Sequence, residues 1–200
     1  MRSVILACLA TLVFAQGAAQ DQLRQKDRDA GVKYLEDTRG TFLASIDGLS
    51  DAQWKFRAAP DRWSIAEVSE HIAVSETTLL QMVTGQIMKS PKAPADPARP
   101  TDAKVIEVTT DRSAKAQAPE MLKPTNRWAT REALTKDFEA ARKRTIEYVT
   151  TTQDDLRGHA STHPALKTID AYQWLLLLAA HSARHTAQIA EVKTSPGYPK

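Results

Sequence analysis

Residues 175–192 read LLLLAAHSARHTAQIAEV, and how this stretch is read decides the fold. Positions 174, 178, 181, 185, 188 and 192 are spaced by threes and fours. On a helix that spacing puts Trp174, Leu178, His181, His185, Gln188 and Val192 on one face. The apolar members mark this face as the one turned inward, so two histidines stand where a core ordinarily takes leucine. Extended to either side, the pattern predicts a helix over IDAYQWLLLLAAHSARHTAQIAEVKT, capped by Thr168 and stopping before Pro196 and Gly197.

Three further helices precede it. Between Asp21 and Ser50, Val32, Leu35, Phe42, Ile46 and Leu49 recur at helical spacing with charges opposite, and the pattern ends near DGLS. After the linker DAQWKFRAAPDRW, Ser64 and Glu67 form a capping box at the head of SIAEVSEHIAVSETTLLQMV, whose stripe runs Val68, Ile72, Leu79 and Val83. Thr130 caps a third helix with Leu134, Phe138, Ile146 and Val149 facing inward. No internal repeat and no alternating strand run stands out. The prediction is an all-α fold, a four-helix bundle.

Between the second and third helices the pattern collapses into SPKAPADPARP, and residues 90–129 offer only a short extended candidate at VIEV. So long a connection is unusual in a compact domain. It is explained if the second and third helices run parallel and the chain must travel the length of the bundle between them. A helix of about 22 residues is ~33 Å long, which roughly ten extended residues span. The surplus is expected to fold over one end as a lid.

His181 and His185 on adjacent turns can share one metal ion, the geometry zinc helices use. A buried histidine hydrogen-bonded to backbone is the competing reading. A third imidazole, His71, lies at the edge of the inward stripe of the second helix and can face the pair. Three imidazoles with an open position resemble a catalytic site, where the ion lowers the pKa of water, more than a four-ligand structural one. The zinc-protease motif is absent, because Ser182 follows His181 where that motif needs glutamate. Glu67 is the nearest in-register carboxylate to His71 and is a candidate to orient it or act as a base, with the capping box as its plainer role. Gln188 is a candidate to bond the activated water or simply fills the interior. Arg184 falls off the stripe, and His159 and His163 are read as exposed in a loop before Pro164.

The chain opens MRSVILACLATLVFAQGAAQDQ, with Arg2 ahead of an apolar run and small residues, the layout of a secretory leader. Cleavage after Ala19 gives a leader of residues 1–19 and a domain of 20–200, periplasmic or secreted. The apolar run is too short to span a bilayer comfortably, so no integral membrane segment is expected after leader removal. Cys8 in ILAC resembles a lipidation box but leaves seven residues ahead of it, too few for both a basic and an apolar region, so a lipoprotein is disfavoured. Cys8 is the only cysteine, and the exported chain therefore lacks thiolate metal sites and disulfides. With 27 basic and 24 acidic residues, interleaved in stretches such as TREALTKDFEAARKRTIEY, the charge reads as solvated helix surface and gives no support to nucleic-acid binding.

PDRWSIAEVSEHIAVSE joined to HPALKTIDAYQWLLLLAAHSARHTAQIAEV resembles the DinB-like family of helical bundles, in its broad bacterial branch. There a Trp-Ser-…-Glu-…-His segment pairs with H-x-x-x-H-x-x-Q on the last helix. FRAAP and, more loosely, DRSAKAQAPEMLKPTNRW extend the similarity over most of the chain after the leader. The resemblance implies up-down-down-up topology and one divalent metal, zinc or nickel, held by His71, His181 and His185. It also implies thiol-dependent S-transfer or isomerisation in some relatives, and frequent pairing into homodimers, to which Trp54 or Trp128 can contribute if they do not pack over the bundle ends. The leading expectation is an exported metal-dependent enzyme that activates water on a small-molecule substrate. Its alternatives are a non-catalytic metal- or ligand-binding bundle, a thiol-dependent S-transferase and, resting on Cys8 alone, a lipid-anchored envelope component.

Overall fold

The computed structural model describes residues 23–113 and 117–200. The leader, its cleavage site and Cys8 lie outside the described residues. Four long helices form the bundle: α1 (Gln25–Ile46), α3 (Ile65–Gly85), α5 (Arg131–Thr151) and α6 (Ala171–Lys193). Helix α1 packs on α5 and α6, and α3 packs on the same two, so α1 and α3 occupy one diagonal. This is the up-down-down-up arrangement. Short α2 (Asp51–Lys55) and α4 (Asp102–Thr110) complete the helices.

The helix starts follow side-chain chemistry. Ser64 accepts from the Glu67 amide while Glu67 reaches back to the Ser64 amide, the reciprocal capping box read from the sequence. Thr130 caps α5 as expected. For α6 the cap is Asp170, boxed with Gln173, and not Thr168. Thr168 belongs instead to a small antiparallel hairpin of β1 (Ala160–His163) and β2 (Lys167–Asp170), in which Thr162 pairs with Thr168. The strands are only four residues long and carry no sustained alternation, so the sequence pattern did not reveal them. At the other end of the chain α1 stops at Ile46, before Gly48 turns the backbone at φ 64°, a conformation glycine adopts without strain.

The connection between α3 and α5 is more structured than its composition suggests. Ala93 pairs with the Gly158 carbonyl and Gln173 donates to the Pro100 carbonyl, which fixes the chain at the hairpin end of the bundle. Arg157 joins this anchorage, bonding Asp102 at 2.6 and 2.8 Å and Asp170 at 3.1 Å. Helix α4 then runs back along α6, with Val105 buried against it. The VIEV segment is therefore helical. Thr101 caps it, and Val105 with its half-buried neighbours Ile106, Val108 and Thr109 supplies a helical stripe that the β-branched composition disguised. Residues 122–128 pack against the start of α3, where the Leu122 carbonyl meets His71 and the Thr125, Asn126 and Arg127 amides meet Glu70.

Two apolar clusters fill the bundle. One, nearer the hairpin, includes Leu35, Val83, Val149, Leu156, Tyr172 and Leu175. The other includes Phe42, Ile65, Val68, Ile72, Phe138 and Ile189. Trp54 and Trp128 pack against the second cluster, and the Trp128 indole donates to Asp137 at 2.7 Å. No helix among the described residues is long and apolar enough to cross a membrane.

Candidate metal centre

His71 stands on the second turn of α3, and His181 and His185 on adjacent turns from the middle of α6 onward. Each offers one nitrogen, and the three nitrogens lie within 4.8 Å of one another. The Nε2 atoms of His71 and His181 are 3.0 Å apart. Two nitrogens bound at ~2.0–2.1 Å to a tetrahedral ion sit about 3.3 Å apart, so little adjustment separates this cluster from a coordination shell. Trp63 walls the site, its ring 5.0 Å from that of His71. His71 is buried, and His181 and His185 are half-buried.

The hydrogen bonds behind the rings settle which nitrogen faces inward. His71 Nδ1 lies 2.8 Å from the Leu122 carbonyl, an acceptor only, so this nitrogen carries the proton and Nε2 presents a lone pair. His185 Nδ1 lies 2.8 Å from Gln188 Oε1 and is fixed in the same way. Gln188 is held in turn by Arg112, whose guanidinium donates to Oε1 at 3.4 Å and grips the Glu191 carboxylate with two bonds of 2.6 Å. Such partners orient a metal-binding imidazole and raise its basicity.

Electrostatics keep all three rings neutral. Burial pushes the His71 pKa down against the opposing effect of the Leu122 bond. Burial and the neighbouring His71 bring His185 to about 3, and burial with the charges of His185, His71 and Arg184 holds His181 well below the usual imidazole range. Neutral imidazole is the metal-binding form. A set of three nitrogens without carboxylate suits a first-row divalent ion and disfavours magnesium and calcium, which want oxygen. The residues present therefore fit a borderline divalent ion.

The other candidates fall differently. Glu67 does not orient His71, whose Nδ1 belongs to Leu122. Its carboxylate is committed to the Ser64 amide at 2.8 Å, the Ser64 hydroxyl at 3.0 Å and Arg57 at 2.5 Å. Gln188 is half-buried, and its Oε1 holds His185. Arg184 extends along α6 to the carbonyls that end α4, Thr109 and Asp111. His163 is half-buried against Trp174, with ring centroids 5.4 Å apart, and burial lowers its pKa. His159 is half-buried as well, so neither is the exposed loop histidine the sequence suggested. Sequence reading missed the Leu122 carbonyl, 51 residues from His71, and Arg112, 76 residues from Gln188, which the crossover brings in and which no local spacing announces.

The sequence profile of the DinB superfamily matches residues 34–189, a span that begins within α1 and ends within α6. The chain belongs to the DinB superfamily. Among its relatives, this DinB-superfamily chain is 23% identical over 148 residues to the uncharacterized protein YuaE of Bacillus subtilis (strain 168), covering 74% of this chain and 88% of YuaE. Its fold is similar to that of YfiT from Bacillus subtilis, described as a probable metal-dependent hydrolase with an unusual four-helix bundle topology. The TM-score is 0.58 at 15% identity, over 90% of this chain and 93% of YfiT. At that identity the likeness establishes the bundle.

Proposed function

We propose that this DinB-superfamily protein is an exported metal-dependent enzyme of hydrolytic type. It holds one divalent ion, zinc or nickel, on His71, His181 and His185 and acts on a small molecule. The observation that carries this reading is the convergence of three neutral imidazoles, two of them locked by carbonyl oxygens so that Nε2 faces the shared point. When bound, such an ion acts as a Lewis acid and brings the pKa of water towards neutrality. The protein's own part is to fix His71 through Leu122 and His185 through Gln188 and to wall the centre with Trp63. YfiT, itself a probable metal-dependent hydrolase, supports the same direction. The leader supports export, and export favours water over low-molecular-weight thiols, which serve mainly as cytosolic cosubstrates.

Elemental analysis of untagged protein, beside a His71→Ala/His185→Ala variant, tests the site. About one equivalent of zinc or nickel per chain, absent from the variant, is the expected result. Protein that neither retains metal nor takes it up on titration overturns the reading. The 3.0 Å contact between His71 and His181 favours a second reading, a non-catalytic bundle in which His181 donates Nε2–H to His71. Metal bound at one equivalent, with no turnover of ester, amide or phosphoester panels, selects a binding protein.

A further inference from the structure

Glu70 precedes His71 on α3, and its carboxylate is buried, with 5% of the residue exposed. A carboxylate is expensive to bury unless its oxygens are well bonded. Here backbone amides bond it: Oε1 accepts from Thr125 at 2.6 Å and from Arg127 at 3.3 Å, and Oε2 accepts from Asn126 at 3.0 Å. Asn126 adopts φ 61°, which lets successive amides converge on one anion, as in a backbone nest. The ligand of this nest is a side chain of the protein itself.

The segment so gripped also holds the metal centre. Only Lys123 and Pro124 separate Thr125 from Leu122, whose carbonyl takes the His71 Nδ1 proton, and Pro124 stiffens that short link. Arg127 closes the segment on itself, donating from Nη2 to the Met121 carbonyl at 3.1 Å and from Nε to the Thr125 hydroxyl at 3.3 Å. Two consecutive residues of α3 thus hold one loop at two points.

We infer that Glu70 is a positioning residue for the metal centre: by anchoring residues 125–127 it keeps the Leu122 carbonyl on His71 Nδ1 and so selects the tautomer whose Nε2 is free to coordinate. The inference rests on the metal-binding reading above. If the anchor is lost, the loop drifts, His71 loses its acceptor, and the proton is free to occupy Nε2, a form that cannot bind through that atom.

The test uses Glu70→Gln, which keeps shape and one acceptor but removes the charge, with Glu70→Ala beside it. Nitrogen-15 NMR of His71 in the metal-free protein reads the tautomer, and zinc titration reads affinity. Wild type is expected to show protonated Nδ1. Both variants are expected to show a growing share of protonated Nε2 and a loss of zinc affinity of about 10- to 100-fold, at unchanged helicity. A His71 that keeps the Nδ1–H form in both variants, or a zinc affinity within about twofold of wild type, overturns the inference. If wild type takes up no zinc, the metal reading fails by itself, and the tautomer of metal-free His71 still decides whether Glu70 positions it.

Discussion

Two polar clusters lie inside the same bundle and follow opposite rules. In the first, Arg142 of α5 is wholly buried and donates five hydrogen bonds: to Glu76 at 2.9 and 2.7 Å, to the Leu35 carbonyl at 2.7 Å, and to Thr38 and Ser182 at 2.8 Å each. A guanidinium has five N–H groups, and every one has its acceptor. The Thr145 hydroxyl completes Glu76 at 2.7 Å. In the second cluster three neutral imidazoles, two of them held from behind by Leu122 and Gln188, bring one nitrogen each within 4.8 Å of one another. Ser182 follows His181 directly, so the two clusters share a helix. The first cluster pairs a fixed charge with its counter-charge inside the bundle; the second gathers neutral imidazole nitrogens at one point, as a bound cation needs.

If that contrast is right, the clusters must fail differently. Arg142→Met leaves the Glu76 carboxylate buried and unpaired, a loss of about 3–5 kcal/mol, and chemical denaturation reads it directly. Adding Glu76→Leu is expected to restore much of the loss, because replacing both charges removes the stranded one. The histidine cluster responds to metal instead. Zinc at about a hundredfold above its Kd is expected to stabilise wild type by ~2.7 kcal/mol and the His71→Ala/His185→Ala variant not at all. Equal zinc stabilisation of the two proteins would erase the distinction.

The contrast also explains what the sequence disclosed. The bundle was legible because long helices repeat the same stripe many times, and Ser64 and Thr130 announced two of their starts. The three histidines were legible because two share a stripe and the third lies at the edge of another. Arg142 was misread as solvated surface because a charge-rich stretch surrounds it. Its place four residues after Phe138 and three before Thr145 put it on the inward face, as Ile72 did for Glu76. Charged residues on inward stripes of two helices were the available signal of a buried pair. The Leu122 carbonyl left no signal at all, since any residue supplies that atom.

Acid separates the clusters further. In the unfolded chain each histidine titrates near 6.5, whereas His71, His181 and His185 stay neutral in the fold and His185 does so down to about 3. Because these folded-state pKa values are depressed, their contribution is intact above pH ~6.5 and is lost as pH falls, at about 1.4 kcal/mol per pH unit for each histidine that protonates only on unfolding. Denaturation of metal-free protein between pH 6.5 and 4.5 is expected to show this slope. Replacing all three histidines is expected to flatten the profile to the residue left by His163, which burial also depresses. A profile unchanged by the triple replacement would mean the rings are already protonated in the fold.

The smallest expected effect is the most discriminating. Gln188 touches His185 and Arg112 and lies between the chemistry and the exposed Glu191 side of α6. Gln188→Ala removes the acceptor that fixes the His185 tautomer while leaving the Arg142 cluster and both apolar clusters intact. Zinc affinity is expected to fall by about tenfold, the lower end for losing an orienting partner, with the metal-free denaturation midpoint nearly unchanged. Gln188→Glu keeps an oxygen at the same reach and adds charge, so His185 is expected to remain fixed and zinc affinity to be retained or raised. A Gln188→Ala protein that loses stability but not affinity would place Gln188 with Arg142 among the groups that build the bundle. A protein that loses affinity alone places it with the imidazoles, because its partner bond then serves the orientation of a ligand and not the packing of the bundle.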